Sequence, residues 1–158
     1  MQKTPDVAML TALLDALADN SAGYAYVAEE SDGFGLYAHS EFQAFERGRL
    51  AALLAKRMKA SGLPRTSPAD TTDRSVVNLR IAMAHGDTAV IGQLQRNDAS
   101  LSHLIQASLV AVGLSGALAG TVRTIGSAIC DAQAELSILS HRTGVAPAVD
   151  ARTYTHAA

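Results

Sequence analysis

The stretch LTALLDALADNSAGYAYVA, residues 10–28, decides the fold. Leu10, Leu13, Leu14 and Leu17 recur at steps of three and four, the period of one helix face. The stripe turns polar at Asn20 and Ser21, then resumes as Tyr24, Val27 and Ala28. Three further segments repeat this pattern. One carries Leu36 and Gln43, then Glu46 and Arg47, then Leu50, Leu53, Leu54 and Met58. Another carries Val90, Ile91 and Leu94, then Asn97 and Asp98, then Leu101, Leu104, Ile105, Ser108 and Val112. The last carries Leu118, Val122, Ile125 and Ile129, then Ala132 and Gln133, then Leu136 and Leu139. Four amphipathic helices that all turn polar at one depth predict an all-α, left-handed antiparallel four-helix bundle with a polar layer across its centre.

Start and stop signals set the boundaries. Thr4, Pro5 and Asp6 predict the first helix start, because threonine accepts from free amides, proline loses nothing there and aspartate suits the helix dipole. Asp32-Gly33-Phe34-Gly35 ends that helix, and a second is expected over about 36–61, stopped by Gly62 and Pro64. A polar loop follows over 63–72. The third helix is expected from Asp73, with Val76, Val77, Leu79, Ile81 and Met83 inward and a break at His85-Gly86-Asp87, where Asp87 caps the continuation. Gly113-Leu114-Ser115-Gly116 is the next turn. His141 and Arg142 in a last turn, with Gly144 as cap, end the fourth helix. One bundle domain over 1–144 and a flexible tail over 145–158 result.

Composition narrows the function classes. Hydrophobic residues make up 48% of the 158, aromatics only 4%, so the apolar mass is aliphatic and suits close-packed helices. A net charge of −2 gives no global attraction for nucleic acid or acidic lipid. The basic run Arg47, Arg49, Lys56, Arg57 and Lys59 spreads over several helix faces with no aromatic platform between its members, and reads as a solvated face. Cys130 stands alone, which excludes an intrachain disulfide and a cysteine zinc cluster, and its apolar neighbours read it as a small core residue. No secretory signal pattern is visible at the N-terminus. Residues 99–122 carry no formal charge but hold His103, Gln106 and several serines, too polar for a span of about 20 apolar residues. A cytoplasmic protein is expected.

The polar layer invites a test for metal chemistry. A di-iron bundle takes a Glu from each of two helices and a Glu-x-x-His from each of the other two, because that spacing puts both ligands on one face at one height. The chain contains no Glu-x-x-His. Its metal candidates are Glu46, Asp98, His103 and Glu135. Glu135 and His141 stand six apart, Asp98 and His103 five apart, and Arg49 follows Glu46 by three, where it would repel a cation. The competing reading is a paired, hydrogen-bonded layer in which Glu46 or Asp98 meets Arg47 or Asn97 across the bundle and fixes helix order. His39, His85, His103, His141 and His156 are scattered and read as surface or capping residues. No phosphate-binding glycine loop, serine elbow or cysteine nucleophile pattern occurs.

Asp19-Asn20-Ser21-Ala22-Gly23-Tyr24 resembles the D-G-x-x-G-Y stretch of a family of uncharacterised bacterial ferritin-like four-helix-bundle proteins. Asn97-Asp98-Ala99-Ser100-Leu101, Arg47 and Gly62-Leu63-Pro64 look like the corresponding parts, and the resemblance covers roughly residues 10–109. It implies a ferritin-like fold and a stress-related bacterial role. Members carry acidic residues inside the bundle, and the similar positions here hold Ser21, Leu53 and Asn97, so the resemblance implies a degenerate carboxylate cage. The leading expectation is a non-catalytic structural or interaction protein with no cofactor. The alternative is a metal-binding or ferroxidase-like protein that uses iron.

Self-association as a homodimer is also expected. Ala111, Gly113, Ala117, Ala119 and Gly120 collect small residues at one corner, and Phe34, Phe42 and Phe45 lie off the inward stripe of the second helix. If that helix were rotated instead, the phenylalanines would be core and the bundle monomeric.

Overall fold

The computed structural model describes residues 7–65, 74–113 and 116–157, with side chains as far as Arg142. All regular structure among these residues is helical: α1 (Val7–Glu30), α2 (Phe34–Ala60), α3 (Arg74–Met83), α4 (Asp87–Val112) and α5 (Gly116–Ala157). The expected helix start at Thr4, the loop residues 66–73 and the turn residues Leu114 and Ser115 lie outside the described residues.

Four helices form a ring in which α1 packs on α2 and α4, while α5 packs on the same two. Two apolar clusters fill it. The first joins Leu10, Leu13 and Leu17 of α1 to Leu50, Leu54 and Met58 of α2, Leu101 and Ile105 of α4, and Val122, Ile125 and Ile129 of α5. The second joins Tyr24 and Val27, Leu36, Val90, Ile91 and Leu94, and Leu136 with Leu79 and Ala82 of α3. The start of α1 therefore shares one end of the molecule with the end of α2, the end of α4 and the start of α5. Every neighbour in the ring runs opposite to its neighbour, and the polar layer lies between the two clusters.

This order makes α2 and α4 run the same way on opposite corners. The chain must travel back along the molecule between them, and α3, ten residues long beside the second cluster, makes the last part of that return. The structure corrects the expectation of one broken third helix: α3 and α4 are separate helices, and the chain reverses at Gly86. Gly86 holds φ at +93°, a backbone region that side chains disfavour. α3 packs on α1 and α4. Its Ser75 meets α1 at Gly23, where an added Cβ would stand 2.9 Å from the Ser75 Cβ. Asp19 Oδ2 accepts from Ser75 Oγ at 2.6 Å and Asp19 Oδ1 from the Ser75 amide at 3.3 Å, so α1 caps the first turn of α3.

Several local expectations change. α3 buries Ser75, Leu79 and Ala82, whereas Val77 and Ile81 are exposed, because a helix laid outside the ring covers only one narrow stripe. Asp87 does not cap α4. Gly86 holds the cap position without a side-chain bond, and Asp87 lies in the first turn near Gly33. Cys130 is exposed, since Ile129 and Ala132 take the inward positions beside it. α5 does not end at Gly144. Its helical backbone continues to Ala157, past Gly144 and Pro147. The stop after α2 is as expected: Gly62 sits at φ +71° and the Leu63 amide donates back to the Met58 carbonyl at 2.9 Å.

Candidate functional site

α1, α2 and α4 each place one long polar side chain at the centre, because Tyr24, Arg47 and Asp98 fall on the inward stripes of their helices. Arg47 and Asp98 are both fully buried, at 0% exposure. Arg47 Nη1 donates to Asp98 Oδ1 at 2.6 Å and Arg47 Nη2 donates to Asp98 Oδ2 at 3.1 Å. This is the forked, charge-assisted geometry that a guanidinium offers a carboxylate. Arg47 Nε donates to Gln43 Oε1 at 3.2 Å, and Arg47 Nη1 also donates to Asn20 Oδ1 at 3.2 Å. Asn20 in turn donates to the Ala16 carbonyl at 2.9 Å. Tyr24 Oη donates to Asp98 Oδ2 at 2.9 Å, while the Tyr24 ring lies 4.5 Å beneath the guanidinium carbon. Burial pushes the Tyr24 phenol well above its ordinary range, and the Asp98 charge adds to this although Arg47 opposes it. Tyr24 stays a hydrogen-bond donor at every physiological pH.

The ring is completed on the α5 side by a second polar contact. His39 is buried, and its Nδ1 faces Glu135 Oε2 at 3.3 Å. Its ring meets Tyr24 edge-on at 5.7 Å. His39 Nε2 is buried with no hydrogen-bond partner, and so is Ser40 Oγ. Burial lowers the His39 pKa below its ordinary value, against the pull of Glu135 and Asp98. Around this centre, Ser21 Oγ donates to the Ala44 carbonyl of α2 at 2.7 Å and Ser102 Oγ donates to Gln133 Oε1 of α5 at 3.2 Å.

The metal candidates do not converge. Asp98 spends both oxygens on Arg47 and Tyr24. Glu46 lies on the flank of α2, bound by Arg49 at 2.5 and 3.0 Å, and those bonds hold its carboxyl below the ordinary carboxylate range. His103 is exposed. Glu135 is largely exposed and faces His39. Adjacent helical residues stand about 100° apart, so Glu46 and Arg47 could not both face inward, and Arg47 does. Among the described residues no group of three or more His, Cys, Asp and Glu side chains is placed to hold a metal ion.

His39 was not read as a member of the layer. Its signal was present: it lies three residues after Leu36 and four before Gln43, both on the inward stripe. Two surface cavities, of about 600 Å³ beside Leu14, Met58 and Leu63 and about 530 Å³ between α3 and α4, are lined by no residue of the layer. No helix among the described residues is long and apolar enough to cross a membrane. Compared with family models, curated proteins and solved structures, the chain matches none.

Proposed function

We propose that the chain is a ferritin-like antiparallel four-helix bundle, with α3 added outside, that works as a non-catalytic structural and interaction protein. One observation carries this reading: the bidentate Arg47–Asp98 pair fills the central layer where carboxylate bundles hold their metals. A fixed guanidinium there repels a cation, and its partner carboxylate already accepts three hydrogen bonds. The long return between α2 and α4 supports the fold side of the reading, since ferritin-like bundles carry one such crossover. Motif-level likeness to that family, at residues 19–24 and 97–101, points the same way.

The ferroxidase alternative needs Glu46, Asp98, His103 and Glu135 to meet, and no contact joins any two of them. Elemental analysis of protein purified without chelator, followed by a ferrous oxidation assay, tests the reading. The expected result is substoichiometric iron and no oxidation above the buffer rate. About two irons per chain with turnover, the content of a di-iron centre, would overturn it.

A further inference from the structure

All three phenylalanines of the chain lie on α2, and all three are exposed: Phe34 at 87%, Phe42 at 57% and Phe45 at 71%. Tyr37 is exposed between them. Four of seven aromatic side chains therefore stand in water within twelve residues, while the core is mostly leucine, isoleucine and valine, with Tyr24 its one aromatic among the described residues. The stripe is not a misplaced core face. Phe34 and Phe45 are eleven residues apart and fall within about 20° of each other around the helix. Leu36, Gln43, Arg47 and Leu54 point the opposite way, into the bundle. The helix is rotated as its inward stripe demands, and the aromatic face is left over.

The charges of α2 are divided along its length in the same place. From Phe34 to Phe45 the only exposed charge is Glu41. From Gly48 onward the exposed charges are Arg49, Lys56, Arg57 and Lys59, all cationic. One half of this outer face is aromatic with a single carboxylate; the other is cationic. We infer that this face binds a second copy of the chain, α2 against α2 in antiparallel register about a two-fold axis at Phe45.

In that register each residue lies level with the one as far beyond Phe45 as it lies before. Phe34 comes level with the partner's Lys56, Glu41 with the partner's Arg49, and Phe42 with the partner's Gly48, which leaves room for a ring. Aromatic faces meet cations and the lone carboxylate meets arginine. Parallel register would set four cations against four and aromatics against aromatics. Each aromatic side chain covered removes 150–250 Å² in favourable cases, a substantial share of the ~800 Å² per partner that a stable interface needs. Closed two-fold pairing is the commonest way to bury such a patch. The pairing rests on the interaction reading given above. A monomeric protein that neither holds nor oxidises iron would overturn the pairing alone, whereas iron turnover would overturn that reading.

Light scattering at micromolar concentration should give twice the chain mass of 16.4 kDa. Phe45→Glu, at an exposed position, should keep the helical circular dichroism but weaken dimerisation by about 30-fold or more, as loss of a central hot spot does. In a Cys130→Ser background, Phe45→Cys should form a disulfide-linked dimer under copper-catalysed oxidation. Phe34→Cys should not, because antiparallel register sets its two copies roughly 33 Å apart. A wild-type mass of one chain would overturn the pairing. A dimer indifferent to Phe45→Glu, or equal crosslinking at positions 34 and 45, would overturn it as well.

Discussion

Arg47 on α2 and Asp98 on α4, fifty-one residues apart, meet in the middle of the bundle through two near-parallel bonds with no solvent access to either side chain. A pair of this kind does not owe its presence to net stability. Removing two charges from water costs several kcal/mol each, and the attraction between them roughly repays that only with good geometry and further hydrogen bonds. Here Gln43, Asn20 and Tyr24 supply those bonds. What the pair supplies is discrimination, because any slip of α2 against α4 leaves a buried charge alone.

Breaking the pair from one side should therefore be severe. Asp98→Ala leaves Arg47 buried without its counter-charge and should cost about 3–5 kcal/mol, whereas Arg47→Met with Asp98→Leu should be neutral or stabilising by about 1–4 kcal/mol. Urea unfolding of both variants checks this. Equal losses in the single and double variants would show that packing volume, not charge, sets the effect.

Tyr24→Phe removes one donor from Asp98 and leaves the ring beneath Arg47 in place. A hydrogen bond to a charged group is worth about 1.5–3 kcal/mol, and the variant should lose that much. Thermal denaturation at neutral pH measures it. A loss under about 0.5 kcal/mol would mean that the hydroxyl finds another partner or that Asp98 has enough without it.

His39 should make the fold sensitive to mild acid. Its folded-state pKa is lowered, first by burial, while Glu135 of α5 and Asp98 of α4 push it up and Arg47 of α2 pushes it down. Below about pH 6.5, the ordinary range of histidine, the unfolded chain binds a proton that the folded chain resists. Stability is then full above that pH and falls as pH drops through it toward the lower folded value. Burial of the ring is the first cause, and Nε2, buried without a partner, offers a second N–H nowhere to go. His39→Gln should flatten the stability profile just below pH 6.5. A profile unchanged by the substitution would place the acid sensitivity elsewhere.

The contact of α3 on α1 can be tested at one atom. Gly23→Ala would put a Cβ 2.9 Å from Ser75 Cβ and 3.0 Å from Leu79 Cδ1, and should cost about 1–3 kcal/mol by overpacking. Gly120→Ala in α5 meets nothing within 4 Å and should instead gain roughly 0.5–1 kcal/mol of helix propensity. Hydrogen exchange should show the Gly23 variant loosening α3 first, ahead of the ring helices. Uniform loosening of all five would show that α3 is not a separable layer.

The four stripes and the polar layer were legible because burial repeats with the helix period, and Leu10 to Val27 shows that period without interruption. What sequence left open was rotation by one residue. Glu46 against Arg47 and Asn97 against Asp98 are neighbours of equal polarity, and periodicity alone does not decide which turns inward. The reversal at Gly86 was read as a break because a glycine between two helical segments suits a kink and a hairpin alike. The choice is made far away, by the absence of a side chain at Gly23 and by Asp19 reaching the first turn of α3. Val77 and Ile81 misled for a related reason: an apolar residue marks a buried face only when something covers that face.

The return path of α3 also bears on how the chain assembles. α1 with α2 and α4 with α5 are hairpins built from neighbours in sequence, so each can gain its contacts early. Arg47 and Asp98 stand on different hairpins, and their meeting requires the two halves to dock, with α3 joining them on the outside of the ring. The pair is therefore expected to close like a latch, after the transition state. Variants at Arg47 or Asp98 should speed unfolding while leaving the folding rate nearly unchanged, whereas variants at Leu13 or Leu50, inside the first hairpin, should slow folding. Stopped-flow measurement of both limbs would separate the latch from the hairpins it closes over.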